Sequence, residues 1–320
     1  MFRLRNLGAV LLVLGSVVCG YAQYTQNPAS KSSKNNSSNG KPAVLWEPVD
    51  VSAQDTLAGP GNLQPDLSTV TFVSEEKGGY SKKYKIKDAS GNLWVAKIGN
   101  EAQSETAAVR LLGAIGYKTD YNYLVPSLMI PGKGVFTNVR LEARPEDIKR
   151  GDPWKWGSTP FEKTREMQGL KLMMALINNW DMKSANNVVL ETADSNEYAI
   201  SDLGVAFGKT GSNGLPLFWR AGRSRNDPAG YAKTKFVKGV KNGKVSVVFN
   251  GKNRSRMHNF TTADARWLAD RLGQLSDKQI RDCFRAANYS QSAIDILART
   301  VKDRIRQLQR AGAGDRYATR

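Results

Sequence analysis

Four short stretches of this chain carry side chains that could act together, and they follow one another in a set order. Lys97 sits near the end of the apolar run Leu93-Trp94-Val95-Ala96-Lys97-Ile98, and Glu105 follows eight residues later in a stretch of helical period. Asn179-Trp180-Asp181-Met182-Lys183-Ser184-Ala185-Asn186 comes next, and Ser201-Asp202-Leu203-Gly204 closes the series. The chain has one histidine and two cysteines. That excludes a disulfide framework, a Cys/His zinc cluster and a repeated histidine metal site. Ser-His-Asp or Cys-His catalysis would rest on His258 alone. Any chemistry must therefore run on carboxylates, lysine, amides and hydroxyls.

In that order the stretches resemble the protein-kinase-like superfamily. Its marks are a strand lysine, a helix glutamate, a loop of the form D-x-K-x-x-N and a D-F-G-type metal loop. Asp181-Met182-Lys183-Ser184-Ala185-Asn186 matches the first loop, and Asp202-Leu203-Gly204 the second, with Leu203 as its apolar anchor. The likeness runs through most of residues 69–208 and is nearest in layout to atypical kinases: HipA-type and secretory-pathway casein-kinase-like enzymes, related in layout to phosphatidylinositol kinases. It implies an α+β, bilobal fold, with an antiparallel β-rich N-lobe holding one helix and a mainly helical C-lobe. It also implies ATP as nucleotide and Mg²⁺ or Mn²⁺ as metal. Phosphoryl transfer asks a protein for positioning and charge neutralisation. The resemblance gives Lys97 the α- and β-phosphates, with Glu105 holding it as an ion pair. Asp202 is then a direct metal ligand, and Asn186 a neutral oxygen for a second metal. Asp181 accepts the proton of the acceptor hydroxyl or orients it, and Lys183 reaches the transferring phosphate. Gly78, Gly79 and Ser81, in the stretch 75–81, are expected to touch the nucleotide.

Several positions depart from the pattern or compete for a role. Glu101 lies one turn before Glu105 and competes for Lys97, while Asn187 competes with Asn186. The phosphate-covering stretch has two adjacent glycines, not a spaced set, and Glu75 and Glu76 repel phosphate unless they turn away. Trp180 stands where many regulated kinases carry an arginine, and no A-P-E motif follows. Control by activation-loop phosphorylation and eukaryotic-type peptide docking are therefore not implied. Three functional readings stay open. One is a phosphotransferase acting on an unknown hydroxyl acceptor. The second is a non-catalytic pseudokinase serving as a basic module for anionic envelope polymers or a partner protein. The third is a nucleotidyl transferase (AMPylation).

The elements that must position these residues follow from period and punctuation. Val70, Phe72 and Val73, then Tyr84 and Ile86 among lysines, then 93–98 predict a three-stranded antiparallel meander with a turn at Asp88-Ala89-Ser90-Gly91-Asn92. Asn100 with Gln103 reads as a capping box for a helix carrying Ala107, Ala108, Leu111, Leu112 and Ile115, closed by Gly116. Residues 125–141 read as short strands broken by Pro126, Pro131, Gly132 and Gly134, and 144–157 as a connection. A broad apolar stripe predicts a central helix over 161–178, then strands at 187–190 and 197–201. Helices over 262–272, 276–286 and 290–310 end the chain, the last two capped by Ser276 and Ser290. Arg299, Lys302, Arg304, Arg306 and Arg310 are expected on the solvent face of the last helix.

Length and composition suit a two-lobed globular protein: 320 residues, 40% hydrophobic and 24% charged. Residues 1–22 carry Arg3 and Arg5, an apolar run over 7–18 and a small-residue site at Gly20-Tyr21-Ala22. They read as a secretory leader, giving a secreted or periplasmic protein. The apolar run is shorter than the ~20 residues of a membrane span. Cys19 raises a lipoprotein reading, opposed by Val18 and Ser16. Residues 23–44 read as a Ser/Asn/Lys-rich tether, 45–143 as the N-lobe, 144–312 as the C-lobe and 313–320 as a tail. Cleavage at Ala22 leaves Cys283 as the single thiol and lowers the net charge from +18 to +16. Twelve Lys or Arg and one acid, Asp227, fall within 209–256. An anionic acceptor or a solvated face both account for this, and Arg223, Arg225, Lys233 and Lys235 are the residues to test. No regular aromatic ladder runs among the basic residues, so specific nucleic-acid binding is not expected.

Overall fold

The computed structural model describes residues 40–59, 63–78, 81–211 and 222–314. The expected leader, most of the tether, Cys19 and Gly79 lie outside the described residues. Among those described, no helix is long and apolar enough to cross a membrane.

The front of the chain builds one antiparallel sheet. Strands β2 (Thr71–Glu76), β3 (Lys82–Lys87) and β4 (Leu93–Ile98) form the expected meander. The stretch read as broken strands is instead one long hairpin, β5 (Asn122–Ile130) and β6 (Gly134–Ala143), completing a sheet of order β2-β3-β4-β6-β5. Pro126 is tolerated because β5 is an edge strand, where a missing N–H costs no ladder bond. Residues 131–133 make the turn. On β3, Tyr84 and Ile86 point into a core shared with Trp94, Ala96, Leu128, Val139 and Leu141, while the lysines alternate outward.

Helix α1 (Glu101–Ala114) lies across the other face of this sheet and belongs to a different core. Its Ala107, Ala108, Leu111 and Leu112 pack with Leu45, Val51 and the C-terminal helices. The expected capping box does not form. Asn100 has helical dihedrals (φ −62°, ψ −12°), from which its side chain makes no cap bond, and the Gln103 amide donates instead to the carbonyls of Ala287 (3.2 Å) and Asn288 (2.9 Å). α1 is therefore fastened to the C-terminal half. Gly116 ends it with φ +98°, and a Cβ there would stand 2.1 Å from the Glu47 carbonyl oxygen, so both conformation and space require glycine.

The back half is mainly helical: α2 (Arg165–Leu176), the short α3 (Pro228–Ala232), α4 (Thr262–Leu272), α5 (Asp277–Arg285) and α6 (Gln291–Ala313). α2 runs through the centre with Met167, Leu170 and 172–176 fully buried, and Thr164 caps it by accepting from the Met167 N–H. A second sheet joins β7 (Lys149–Arg150), β8 (Asn187–Glu191) and β9 (Asn196–Ile200) to β1 (Ala43–Val44), which pairs with β9 in parallel. The tether thus gives way to ordered strand by Ala43. β10 (Val237–Lys241), β11 (Lys244–Val247) and β12 (Phe260–Thr261) form a third small sheet. The whole is α+β and bilobal, with a sheet-rich front lobe and a mainly helical back lobe, as the sequence reading expected.

One expectation about α6 is wrong. Arg304 is not on the solvent face; it is 1% exposed. It lies on the same stripe as Leu297, Val301 and Leu308 and donates to the carbonyls of Leu176 (2.5 Å) and Thr234 (3.2 Å) and to Asn178 Oδ1 (3.0 Å).

Candidate active site

Lys97 lies on β4 with Val95, on the face turned to α1, and its cross-strand neighbour on β6 is Arg140. Two cations side by side would repel. Glu105, on the second turn of α1, resolves this by standing between them: Lys97 Nζ is 2.9 Å from its Oε2, and Arg140 Nη1 is 2.8 Å from its Oε1. Glu101, one turn earlier, also reaches Lys97 at 3.1 Å. The two glutamates that competed for the lysine therefore both hold it, with Glu105 fully buried and Glu101 at the cavity edge.

The second loop leaves α2 through Asn178, a left-handed residue (φ +56°) that turns the chain out of the helix. Its side chain donates to the Gly208 carbonyl (2.7 Å) and Thr234 Oγ1 (2.8 Å), so this turn is fixed by packing on three sides. Asp181 follows, with Lys183 Nζ on its Oδ2 at 2.7 Å. Asn186 Nδ2 donates to the Asp181 carbonyl (2.7 Å), while the Asn186 carbonyl accepts from the N–H groups of Ser201 (3.0 Å) and Asp202 (3.2 Å). The two loops are thus clamped through one residue. Asn187 is not its rival: its amide is buried and donates to the Trp154 carbonyl at 3.0 Å. Asp202 Oδ1 accepts from Lys97 (3.2 Å) and from the Gly204 N–H (3.4 Å). Gly204 is pressed on α1, where an added Cβ would lie 2.6 Å from that of Glu101.

Lys97, Asp181, Lys183, Asn186 and Asp202 all line one cavity of about 550 Å³ between the sheet lobe and the helical lobe. Ser81 joins them and donates to Glu101 Oε2 at 3.0 Å. Gly78 has φ +122°, a backbone only glycine adopts freely, and does not line the cavity. Glu75 and Glu76 also stay outside its lining, and Glu76 pairs with Lys85 at 3.4 Å. His258 is exposed and away from the cavity.

Trp180, Arg223, Arg225 and Lys252 complete the wall, and of these sequence reasoning gave no cavity role to Trp180 or Lys252. The guanidiniums of Arg223 and Arg225 lie 4.7 Å and 5.6 Å from the centre of the Trp180 ring. Arg225 also pairs with Glu101 at 2.5 Å. Lys252 reaches the wall because its N–H donates to the Trp180 carbonyl at 2.8 Å. Of the four basic residues chosen from sequence, Arg223 and Arg225 line the cavity and Lys233 and Lys235 do not. The local signal for Lys252 was weak, since only a long-range backbone bond brings it there.

Electrostatics follow from these contacts. Burial alone would lower the Lys97 amine, and Arg140 works the same way. Glu105, Asp202 and Glu101 outweigh both, holding its pKa above the ordinary lysine range. Burial would raise the Asp202 carboxyl, but Lys97 and Arg140 keep it below the usual range. Burial pushes Glu105 up to about 7, against the opposing pull of Arg140 and Lys97. A lysine pKa raised by folding stabilises fully below its unfolded value of about 10.4, and the gain is lost as pH rises through the folded value. Lys97 should therefore contribute no slope in melting temperature between about pH 7.5 and 10 and a fall above that. Lys97→Met should remove its share of that fall. A gain in stability specific to Lys97 as pH rises from about 8 to about 10 would show instead that burial neutralises the amine.

The donor set suits a divalent cation. Asp202 is half-exposed at the cavity, and its Oδ2 accepts no hydrogen bond among the described residues. Asn186 uses its Nδ2 within the loop, which leaves Oδ1 as its donor atom for a ligand. Among the described residues no group of three or more His, Cys, Asp or Glu could hold a metal unaided. Mg²⁺ commonly takes one or two protein carboxylates and completes its shell with substrate phosphates and water.

No protein-family profile matches this chain, and no curated protein matches it. Among solved structures it is similar to the crystal structure of the Helicobacter pylori proinflammatory kinase CtkA. That match has a TM-score of 0.48 and 11% identity, and covers 79% of this chain and 98% of that one. It is also similar to the kinase domain of maize SIRK1 (sucrose-induced receptor kinase 1) bound to AMP-PNP. Here the TM-score is 0.25 and the identity 13%, with 75% of this chain and 93% of that one covered.

Proposed function

We propose that this chain is a phosphotransferase that moves the γ-phosphoryl group of ATP to a hydroxyl acceptor with the help of Mg²⁺ or Mn²⁺. The observation that carries it is the convergence of Lys97, Asp181, Asn186 and Asp202 on one cavity between the lobes. Bound metal would neutralise charge on the phosphates. Lys97 binds phosphate oxygens while Glu105 keeps its amine in place. Asp202 and Asn186 present carboxylate and amide oxygens to the cation. Asp181 orients the acceptor hydroxyl and takes its proton, and Lys183 turns from Asp181 to the transferring group. The anchoring of α1 to the C-terminal half supports a pair Lys97–Glu105 that stays assembled without activation-loop phosphorylation.

The acceptor is proposed to carry negative charge of its own. Six cations line the cavity (Lys83, Lys97, Lys183, Arg223, Arg225, Lys252) against three acids, Glu101, Asp181 and Asp202. Arg223 and Arg225 lie against the Trp180 ring, and Lys252 is bonded to the Trp180 carbonyl. The leader-like residues 1–22 support a site of action outside the cytoplasm.

Supplying ATP labelled separately in its α- and γ-phosphates tests the reaction type. The γ label should appear on acceptor or on the protein itself, read by mass spectrometry, and the α label should not. Transfer of the α label would replace this reading with AMPylation, and metal-independent binding without turnover would replace it with the basic binding module.

A further inference from the structure

Behind the cavity, a closed circuit of polar contacts runs through both lobes. From Asp202 it passes to Lys97 (3.2 Å), to Glu105 (2.9 Å) and to Arg140 (2.8 Å). Arg140 then bonds Glu142 two residues on, across one face of β6, at 2.7 Å. Glu142 meets Arg150 of β7 at 3.4 Å, and Arg150 also pairs with the buried Asp120 at 2.6 Å. The other Arg150 nitrogen donates to Ser201 Oγ at 3.0 Å, and Ser201 is bonded through the chain to Asp202. Glu105, Asp120, Arg140 and Glu142 are each less than 5% exposed. Charges so placed interact strongly and in fixed geometry.

We infer that Arg140 and Arg150 are positioning residues for the metal-binding loop and the strand lysine, with Arg150 acting on Asp202 through the Ser201 hydroxyl. Neither lines the cavity. Arg140 fixes the far oxygen of Glu105, which sets where Glu105 holds Lys97. Among the described residues, Arg150 links the β6 charges to Ser201, the residue before Asp202. Its guanidinium does two jobs at once, one nitrogen on Asp120 and Glu142 and the other on Ser201. A lysine cannot span both. The spacing of Lys97 and Asp202 is thus set by the lobes through this circuit, in addition to the direct contact between them.

This inference rests on the reading of Asp202 as a metal ligand, so its test has one arm with nucleotide and one without. In the first, Ser201→Ala and Arg150→Lys should each raise the Mg²⁺ concentration needed for half-maximal ATP binding by about tenfold or more, as outer-shell partners of metal sites do. Affinity at saturating Mg²⁺ should change less than about threefold. A structural role alone would lower the melting temperature and leave the metal requirement unchanged. In the second arm the apo protein is melted as wild type, Ser201→Ala, Glu105→Gln and the double variant. These two side chains do not touch, so independent sites would give additive losses, whereas one circuit gives a double loss that departs from the sum. Wild type that binds no nucleotide would sink the metal reading and leave the second arm to judge the circuit. Wild type that binds, with unchanged metal requirement in both variants, or additive melting losses, overturns the positioning role.

Discussion

Asp202→Asn is expected to abolish metal-dependent nucleotide binding while leaving the protein folded. The substitution removes a cavity carboxylate whose Oδ2 accepts no hydrogen bond among the described residues, and an amide offers a cation no charge. Loss of an outer-shell partner typically weakens a metal site 10–100-fold, so loss of a direct ligand should exceed about 100-fold. The fold should survive because Lys97 keeps Glu105 at 2.9 Å and Glu101 at 3.1 Å. Asp181→Ala gives the contrasting phenotype. Its carboxylate pairs with Lys183, whose side chain is 51% exposed, so little stability is at stake. Transfer should fall by about 10²–10⁴, the usual worth of a positioned base, with Mg-ATP affinity kept within about threefold. Parallel loss of binding in both variants would show that the two carboxylates do not divide the work in this way.

Arg304→Met should lower the melting temperature by about 10 °C, the largest stability effect of any single change considered. The buried guanidinium has no carboxylate partner among the described residues. It is held by the carbonyls that end α2, by Asn178 and Thr234, and by the Tyr231 ring 4.1 Å away. Its charge is favoured at a helix C-terminus, where free carbonyls face outward. Methionine fills much of the volume but strands those acceptors, and breaking such a buried network costs about 3–5 kcal/mol. At 2–4 °C per kcal/mol for a chain near this size, that gives the predicted shift. Arg304→Lys should recover only part of it, since an ammonium cannot bridge α2 and the segment after α3 together. Because Asn178 opens the Asp181 loop, transfer in Arg304→Lys should also drop at temperatures where the variant is folded. A shift below about 2 °C in Arg304→Met would mean that the carbonyls find other donors.

The convergence of Asp181, Lys183, Asn186 and Asp202 on one cavity was legible in sequence because each of their loops is local: D-x-K-x-x-N and D-L-G keep their spacing whatever the rest of the chain does. The caps at Ser276 and Ser290 were legible for the same reason, and both accept the N3 N–H as expected. Asn100 was misread because capping depends on an extended backbone that the tight β4–α1 junction does not allow. Residues 122–143 were misread because their prolines and glycines look like breaks until an edge strand and a hairpin turn absorb them. Arg140, Glu142 and Arg150 went unseen as a consequence: their partners are set by strand register and by contact between lobes. Arg304 had a readable signal, a lone charge on the stripe of Leu297, Val301 and Leu308, which a count of helix charges passes over. Cys283 behaves as a buried thiol should, with burial pushing its pKa up to about 12.

Calorimetric titration of Mg-ATP into wild-type protein and Asp202→Asn, with and without chelator, tests the central claim most directly. Saturable binding in wild type, lost on chelation and absent from the variant, is the predicted result. Equal affinity in the two proteins, or wild-type binding that ignores the metal, would contradict the assignment of this cavity to metal-assisted phosphoryl transfer.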